Sequence, residues 1–271
     1  MIEKKNEEPK ENVKVIECIE IEPEILWPLN LIFSKKNIMK YKLIFRQLIR
    51  LKFIEKLLYN TFMIQQDFKE VNIQSKLKDS FFLRDCMINF IKNIIYYLFN
   101  EVIEPNYLEL IKNLENSKSM EDVIKYHDEF LDKCFNEGLI VENLKGKLNE
   151  ILSCCYYYCN LISQYNGNID TKSKELLQEL ITKKNSDYRN EYIRKKMKNK
   201  EKNYALKQAF FNVEETYRNL LNKLTNGYYN RLKNFLDSIK QINDNKKTKL
   251  ANLLIKIDFN NYYHEKFYQQ A

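Results

Sequence analysis

Residues 79–104 read DSFFLRDCMINFIKNIIYYLFNEVIE, and a proline stands at position 105. Phe81, Phe82, Met87, Phe90, Ile91, Ile94, Ile95, Leu98 and Val102 recur at helical spacing and cover most of the circumference. The polar residues Asp85, Asn89, Lys92, Asn93 and Asn100 are confined to one narrow stripe. A helix so apolar has to be surrounded by others, so this stretch predicts the middle of a bundle. Pro105 has no N–H with which to continue the hydrogen-bond ladder, so the helix is expected to end there and a new one, NYLELIKNLEN, to begin.

The same periodicity recurs on both sides. Ser34 is placed to cap a helix through about residue 66, marked by Ile38, Phe45, Leu48, Ile49, Ile54, Leu57 and Leu58. Ser119 and Asp122 form a capping signature that opens a helix through Phe135, closed by Gly138. Further helices are expected at about 142–165 (closed by Gly167), 171–198, 204–225 (closed by Gly227), 228–241 and 246–255. Only residues 13–33 read differently, because Val13, Val15, Cys18 or Ile19 and Ile21 roughly alternate with polar residues before Pro23. The expected fold is therefore all-α, an elongated helical bundle over 13–268 with a minor β-element near 13–33. A disordered acidic arm is expected at 1–12, and a mobile basic insertion at about 166–202, where apolar periodicity weakens.

Composition points the same way. Four glycines and four prolines in 271 residues leave too little turn chemistry for a sandwich, a barrel or a βαβ fold. No apolar run approaches the ~18 residues of a spanning helix, and the first twenty residues are acidic and polar, so neither a membrane span nor a signal peptide is expected. An intracellular protein follows, with the six cysteines (Cys18, Cys86, Cys134, Cys154, Cys155 and Cys159) reduced. The net charge is +8, and residues 183–207 alone hold ten Lys or Arg against three acids. Such a block attracts nucleic acid, anionic membrane or an acidic protein by the same field, and a solvated linker is the plainer reading.

Catalytic chemistry is scarce. The two histidines, His127 and His264, are far apart, and there is no nucleophile elbow, phosphate-binding loop, dinucleotide fingerprint or His-Glu-x-x-His helix, so no enzyme activity, cofactor or small-molecule substrate is expected. Cys154, Cys155 and Cys159 lack the second ligand pair that a tetrahedral zinc site needs, so they read as buried small hydrophobes, with no metal. His127 reads as a packed, hydrogen-bonded histidine on an amphipathic helix. Tyr156, Tyr157 and Tyr158 could stack bases, but they are not interleaved with Lys or Arg, and no nucleic-acid partner is expected.

Four ordered blocks run along the chain. The first is Trp27-Pro28-Leu29-Asn30-Leu31-Ile32, followed by Tyr41, Phe45, Arg46, Leu48, Lys52, Glu55 and Leu58. The second is Leu83-Arg84, Met87, Asn89-Phe90, Asn93, Tyr96-Tyr97, Glu101-Val102 and Glu104-Pro105. The third is Asp122-Val123, His127, Phe130-Leu131-Asp132 and Cys134, and the fourth is Asp258-Phe259-Asn260 with Tyr263. In order and spacing these resemble the carboxy-terminal, gamma-tubulin-binding domain of the gamma-tubulin complex components. The Glu-Pro pair and the Cys after Phe-Leu-Asp favour the component 2 branch over component 3. The chain departs from the family pattern at Asn100, where Phe is usual, and at Tyr107, where Trp is usual. Nothing in these residues resembles the family's long amino-terminal half, so a fragment or a reduced paralogue is expected.

The resemblance implies a non-catalytic scaffold that binds gamma-tubulin and supports microtubule nucleation at a microtubule-organising centre or spindle pole. It implies gamma-tubulin and components of the component 3 type as partners, and a cytoplasmic, cytoskeletal location without membrane insertion. A helical interaction module that no longer binds tubulin is the alternative, with a nucleic-acid or membrane-surface binder behind it. Because the apolar majority of 79–104 must pack inside, its polar stripe and its proline-ended terminus are what remain for a partner. Those positions are Asn89, Asn93, Asn100, Glu101, Asn106 and Tyr107, with Arg46 and Arg50 adding positive charge from the preceding helix. The competing reading is that Asn89 and Asn93 satisfy polar groups inside the bundle.

Overall fold

The computed structural model describes residues 19, 22–67, 74–140, 142–183, 214–245 and 249–268. Helix dominates, and among the described residues there is no strand. The helices are α1 (Lys35–Asp67), α2 (Gln74–Tyr96), α3 (Glu104–Glu115), α4 (Met120–Glu137), α5 (Glu142–Lys183), α6 (Glu214–Asn245), α7 (Leu250–Ile257) and α8 (Tyr262–Tyr268). A π-helical segment, Tyr97–Ile103, joins α2 to α3 without a break.

The helix starts follow their caps. Ser34 Oγ accepts the Asn37 N–H at 3.3 Å at the head of α1, and Ser119 and Asp122 form a reciprocal capping box at the head of α4. Several expected ends do not occur. The minor β-element fails over 22–33, where the Trp27–Pro28 peptide is cis and Leu29–Leu31 form a 3₁₀ turn. Local bonds such as Leu31 N–H to the Pro28 carbonyl, 3.1 Å, occupy the backbone that a ladder would need. Residues 13–18, the arm at 1–12 and the part of the basic block beyond 183 lie outside the described residues. Gly167 and Gly227 lie inside α5 and α6 and close nothing, since neither has the positive φ of a left-handed cap. Glycine costs a helix about 1 kcal/mol relative to alanine, which a long packed helix absorbs. Residues 166–183 therefore continue α5.

Two compact units are formed, Met1–Phe53 with Lys92–Gly146 and Ile239–His264, and Ile54–Ile91 with Lys147–Ser238 and Glu265–Ala271. In the first, Leu51, Ile94, Tyr97, Val102, Leu131 and Leu253 are fully buried. In the second, Phe90 meets Phe235 edge-on with centroids 5.7 Å apart, and Leu58, Met87, Ile151 and Leu232 are fully buried. That core contains a polar network: Arg84 Nη1 donates to Gln65 Oε1 at 2.6 Å, Gln65 Nε2 donates to Tyr158 OH at 3.0 Å, and Tyr158 OH donates to the Ser80 carbonyl at 2.8 Å. Every member is partnered, which is the condition for a buried polar group to be tolerated. Tyr158 is thus core, and burial pushes its pKa well up. Phe82, expected inside, is 49% exposed.

Gly138 closes α4 as expected, for a different reason. The left-handed residue is its neighbour Leu139 at φ 59°, whereas a Cβ on Gly138 would lie 2.3 Å from the Cys134 carbonyl oxygen. At Gly167 an added Cβ meets nothing within 4 Å. Two alanine substitutions should therefore move thermal stability in opposite directions. Gly138→Ala is expected to cost about 1–3 kcal/mol through steric strain, and Gly167→Ala to add up to about 1 kcal/mol. Calorimetric melting of both variants against the parent chain checks the pair.

Candidate functional site

The proline-ended terminus of the long apolar helix takes shape from a backbone problem. Pro105 lacks an N–H and its ring crowds the carbonyl four residues back. The chain does not break there. It widens into the π register, in which the Glu104 N–H bonds the Phe99 carbonyl five residues earlier, and Pro105 then sits in the first turn of α3. Asn106 is 4% exposed and supports the joint, its Nδ2 donating to the Val102 carbonyl at 2.7 Å and to Glu137 Oε2 at 3.1 Å. Tyr97 OH donates to the Glu137 carbonyl at 3.1 Å, and Lys249 Nζ donates to Glu137 Oε2 at 2.9 Å.

A second anchor joins α7 to this region. Lys256 Nζ pairs with Glu101 and lies 3.6 Å from the centroid of the Tyr96 ring, and Asn93 Nδ2 donates to the Lys256 carbonyl at 3.2 Å. Of the eight residues singled out from sequence, Asn93, Glu101 and Asn106 are thus engaged inside the first unit. Asn100 and Tyr107 face outward, Tyr107 at 51% exposure with its ring edge towards Phe130. Arg46 and Arg50 are half-buried on α1. Asn89 is exposed and belongs to the second unit, so the structure does not group it with the other seven. Glu137, Lys249 and Lys256 carry much of the geometry and were missed. Their partners lie 31 to 163 residues away, where local spacing holds no signal.

Pockets and reactive groups offer little. A narrow apolar cavity of about 10 Å³ beneath the π segment is lined by Ile44, Gln47, Leu48, Leu98, Val102 and Ile103. It has room for a water-sized group and no more. Cys154, Cys155 and Cys159 are buried; burial pushes Cys159 up to about 11 and Cys155 well above the ordinary thiol range. Such thiols are poor nucleophiles. No group of three or more His, Cys, Asp or Glu suited to a metal occurs among the described residues, and no described helix is long and apolar enough to cross a membrane.

The described residues thus form helices in which a few polar groups (Asn93, Glu101, Asn106) are spent on packing while Asn100 and Tyr107 face outward. The family model "Gamma tubulin complex component C-terminal" matches residues 2–263, and the chain belongs to that family. It is 34% identical over 146 residues to gamma-tubulin complex component 2 of Arabidopsis thaliana, covering 53% of this chain and 21% of the relative. To component 2 of Mus musculus it is 28% identical over 162 residues, covering 59% and 18%. To the spindle pole body component alp4 of Schizosaccharomyces pombe it is 26% identical over 166 residues, covering 58% and 21%. The matched stretch spans about a fifth of the length of these curated relatives.

His127, from the third block, holds α4 to α1. Its Nε2 and Tyr41 OH are 3.0 Å apart, the Phe33 ring meets it edge-on at 5.0 Å, and Nδ1 is buried without a hydrogen-bond partner among the described residues. Burial lowers its pKa below the ordinary 6.5, Asp128 opposing the shift and Lys40 adding to it. The unfolded chain therefore binds this proton more tightly than the folded one, so the histidine's contribution is complete above about pH 6.5 and is lost as pH falls through the lowered value. The parent chain should lose melting temperature between pH 7 and pH 5 more steeply than His127→Gln. Parallel pH profiles would show that other groups set the slope.

Proposed function

We propose that this chain is a non-catalytic scaffold that binds gamma-tubulin and supports microtubule nucleation. On this reading it acts with other gamma-tubulin complex components, including the component 3 type, at a microtubule-organising centre or spindle pole in the cytoplasm. The observation that carries the reading is the family match across 2–263, together with relatives named as gamma-tubulin complex and spindle pole body components.

The contact surface on this reading centres on Asn100 and Tyr107, with Arg46 and Arg50 supplying charge. An exposed tyrosine is a good anchor because it buries a large rigid area at small entropic cost, and basic side chains speed encounter with an acidic tubulin surface. Asn93, Glu101 and Asn106 act one step back, holding the π segment in place. Asn89, exposed on the second unit, is left out of this surface.

Purified gamma-tubulin, with and without its nucleotide, is the binding partner to use. Tyr107→Ala, or charge reversal at Arg46 and Arg50, should weaken capture at least tenfold (about 1.4 kcal/mol), with Tyr107→Ala leaving the melting temperature nearly unchanged. Asn106→Ala should do the reverse in kind, lowering the melting temperature because the buried Val102 carbonyl and the half-buried Glu137 carboxylate each lose a donor. If the parent chain captures no gamma-tubulin, the proposal fails and a helical module without tubulin binding is left.

A further inference from the structure

α3 is docked by a narrow contact. Asn106 and Leu110, four residues apart, are buried, while Glu104, Leu108, Ile111 and Glu115 recur at i, i+4, i+7 and i+11 on another face and are all exposed. Leu108 is 61% and Ile111 37% exposed. The π turn extends this row, because the Glu104 N–H bonds the Phe99 carbonyl and so sets Phe99, 40% exposed, one turn below Glu104. A single exposed leucine is ordinary, but apolar residues aligned in helical register form a face of the kind that receives another helix.

Charge on this face runs against the chain. The protein as a whole is +8, yet the exposed acids of α3 are Glu104, Glu109 and Glu115 against Lys112 alone. Glu109 is held by Lys133 at 2.7 Å, whereas Glu104 and Glu115 make no ion pair with the described residues. Glu104 suits the N-terminal end of the helix. Glu115 sits at the C-terminal end, where the peptide dipoles already concentrate negative charge. An added cation would relieve that position.

We infer that this face, Phe99–Glu104–Leu108–Ile111–Glu115, docks a basic amphipathic helix of a partner protein. Apolar side chains of that helix cover Leu108, Ile111 and Phe99, and Lys or Arg side chains about three turns apart reach the two glutamates, which lie about 16 Å apart along the axis. This partner is distinct from the acidic surface invoked above, since the two contacts need charge of opposite sign.

Two synthetic amphipathic peptides with the same leucine positions, one flanked by Lys and the other by Glu, test the assignment by fluorescence anisotropy against the full chain. The Lys peptide should bind at least tenfold more tightly, although a net charge of +8 alone would favour the Glu peptide. Leu108→Ser with Ile111→Ser should cost at least tenfold in affinity; Leu108→Ser alone, at a side chain already largely in water, should weaken binding at unchanged melting temperature, while the more covered Ile111 adds a modest drop in melting temperature to the double variant. Glu104→Lys with Glu115→Lys should invert the preference. Equal binding of the two peptides, or an unchanged affinity in the serine variant, overturns the inference. Self-association of the parent chain that disappears in the serine variant, without any peptide preference, would assign the face to a second copy and overturn it as well. Gamma-tubulin is absent from these measurements, so either reading can fail alone.

Discussion

The carboxylate of Glu137 stands at the C-terminal end of α4, where the helix dipole makes a negative charge unwelcome. It is tolerated because the Asn106 amide and the Lys249 ammonium both donate to it, while Tyr97 takes the backbone carbonyl of the same residue. Three stretches distant in sequence, 97–106, the end of α4 and the approach to α7, therefore meet at one helix end. The crowding there also explains Gly138, the next residue, where a Cβ would strike the Cys134 carbonyl oxygen. The π segment, α3 and the approach to α7 take their places from this meeting point.

The π segment turns an obstacle into a presentation device. A proline inside a helix normally bends or breaks it. Here one wider turn removes the clash and lets α2 continue into α3, so that Phe99 and Asn100 lie on the surface beside the exposed side of α3. Lys256 secures the same segment through Glu101 and the Tyr96 ring. Rigid support beneath exposed groups is what a recognition surface needs, because side chains already held in place lose less freedom when a partner arrives.

Charge then separates two kinds of surface. The overall excess of basic residues favours encounter with acidic partners, whereas α3 displays glutamates around Leu108 and Ile111. Local sign and net sign need not agree. A partner is chosen by the charges it meets within about a Debye length, roughly 8–10 Å in physiological salt.

The all-helical fold, the starts of α1 and α4 and the family membership were legible in the residues. Helical periodicity, Ser34, the Ser119–Asp122 box and the spacing of the four blocks are local or ordered features that one chain displays by itself. The ends of helices were less legible: Gly167, Gly227 and Pro105 all read as stops, and packing carried the helix through each of them. The sequence by itself likewise determined which faces were apolar, but not which polar residues on them would be spent internally. Only the tertiary structure decided that Asn93, Glu101 and Asn106 bind Lys256 and Glu137 while Asn100 and Tyr107 stay outside. A side chain's availability depends on donors and acceptors brought near by folding, and those partners lie tens to more than a hundred residues away along the chain.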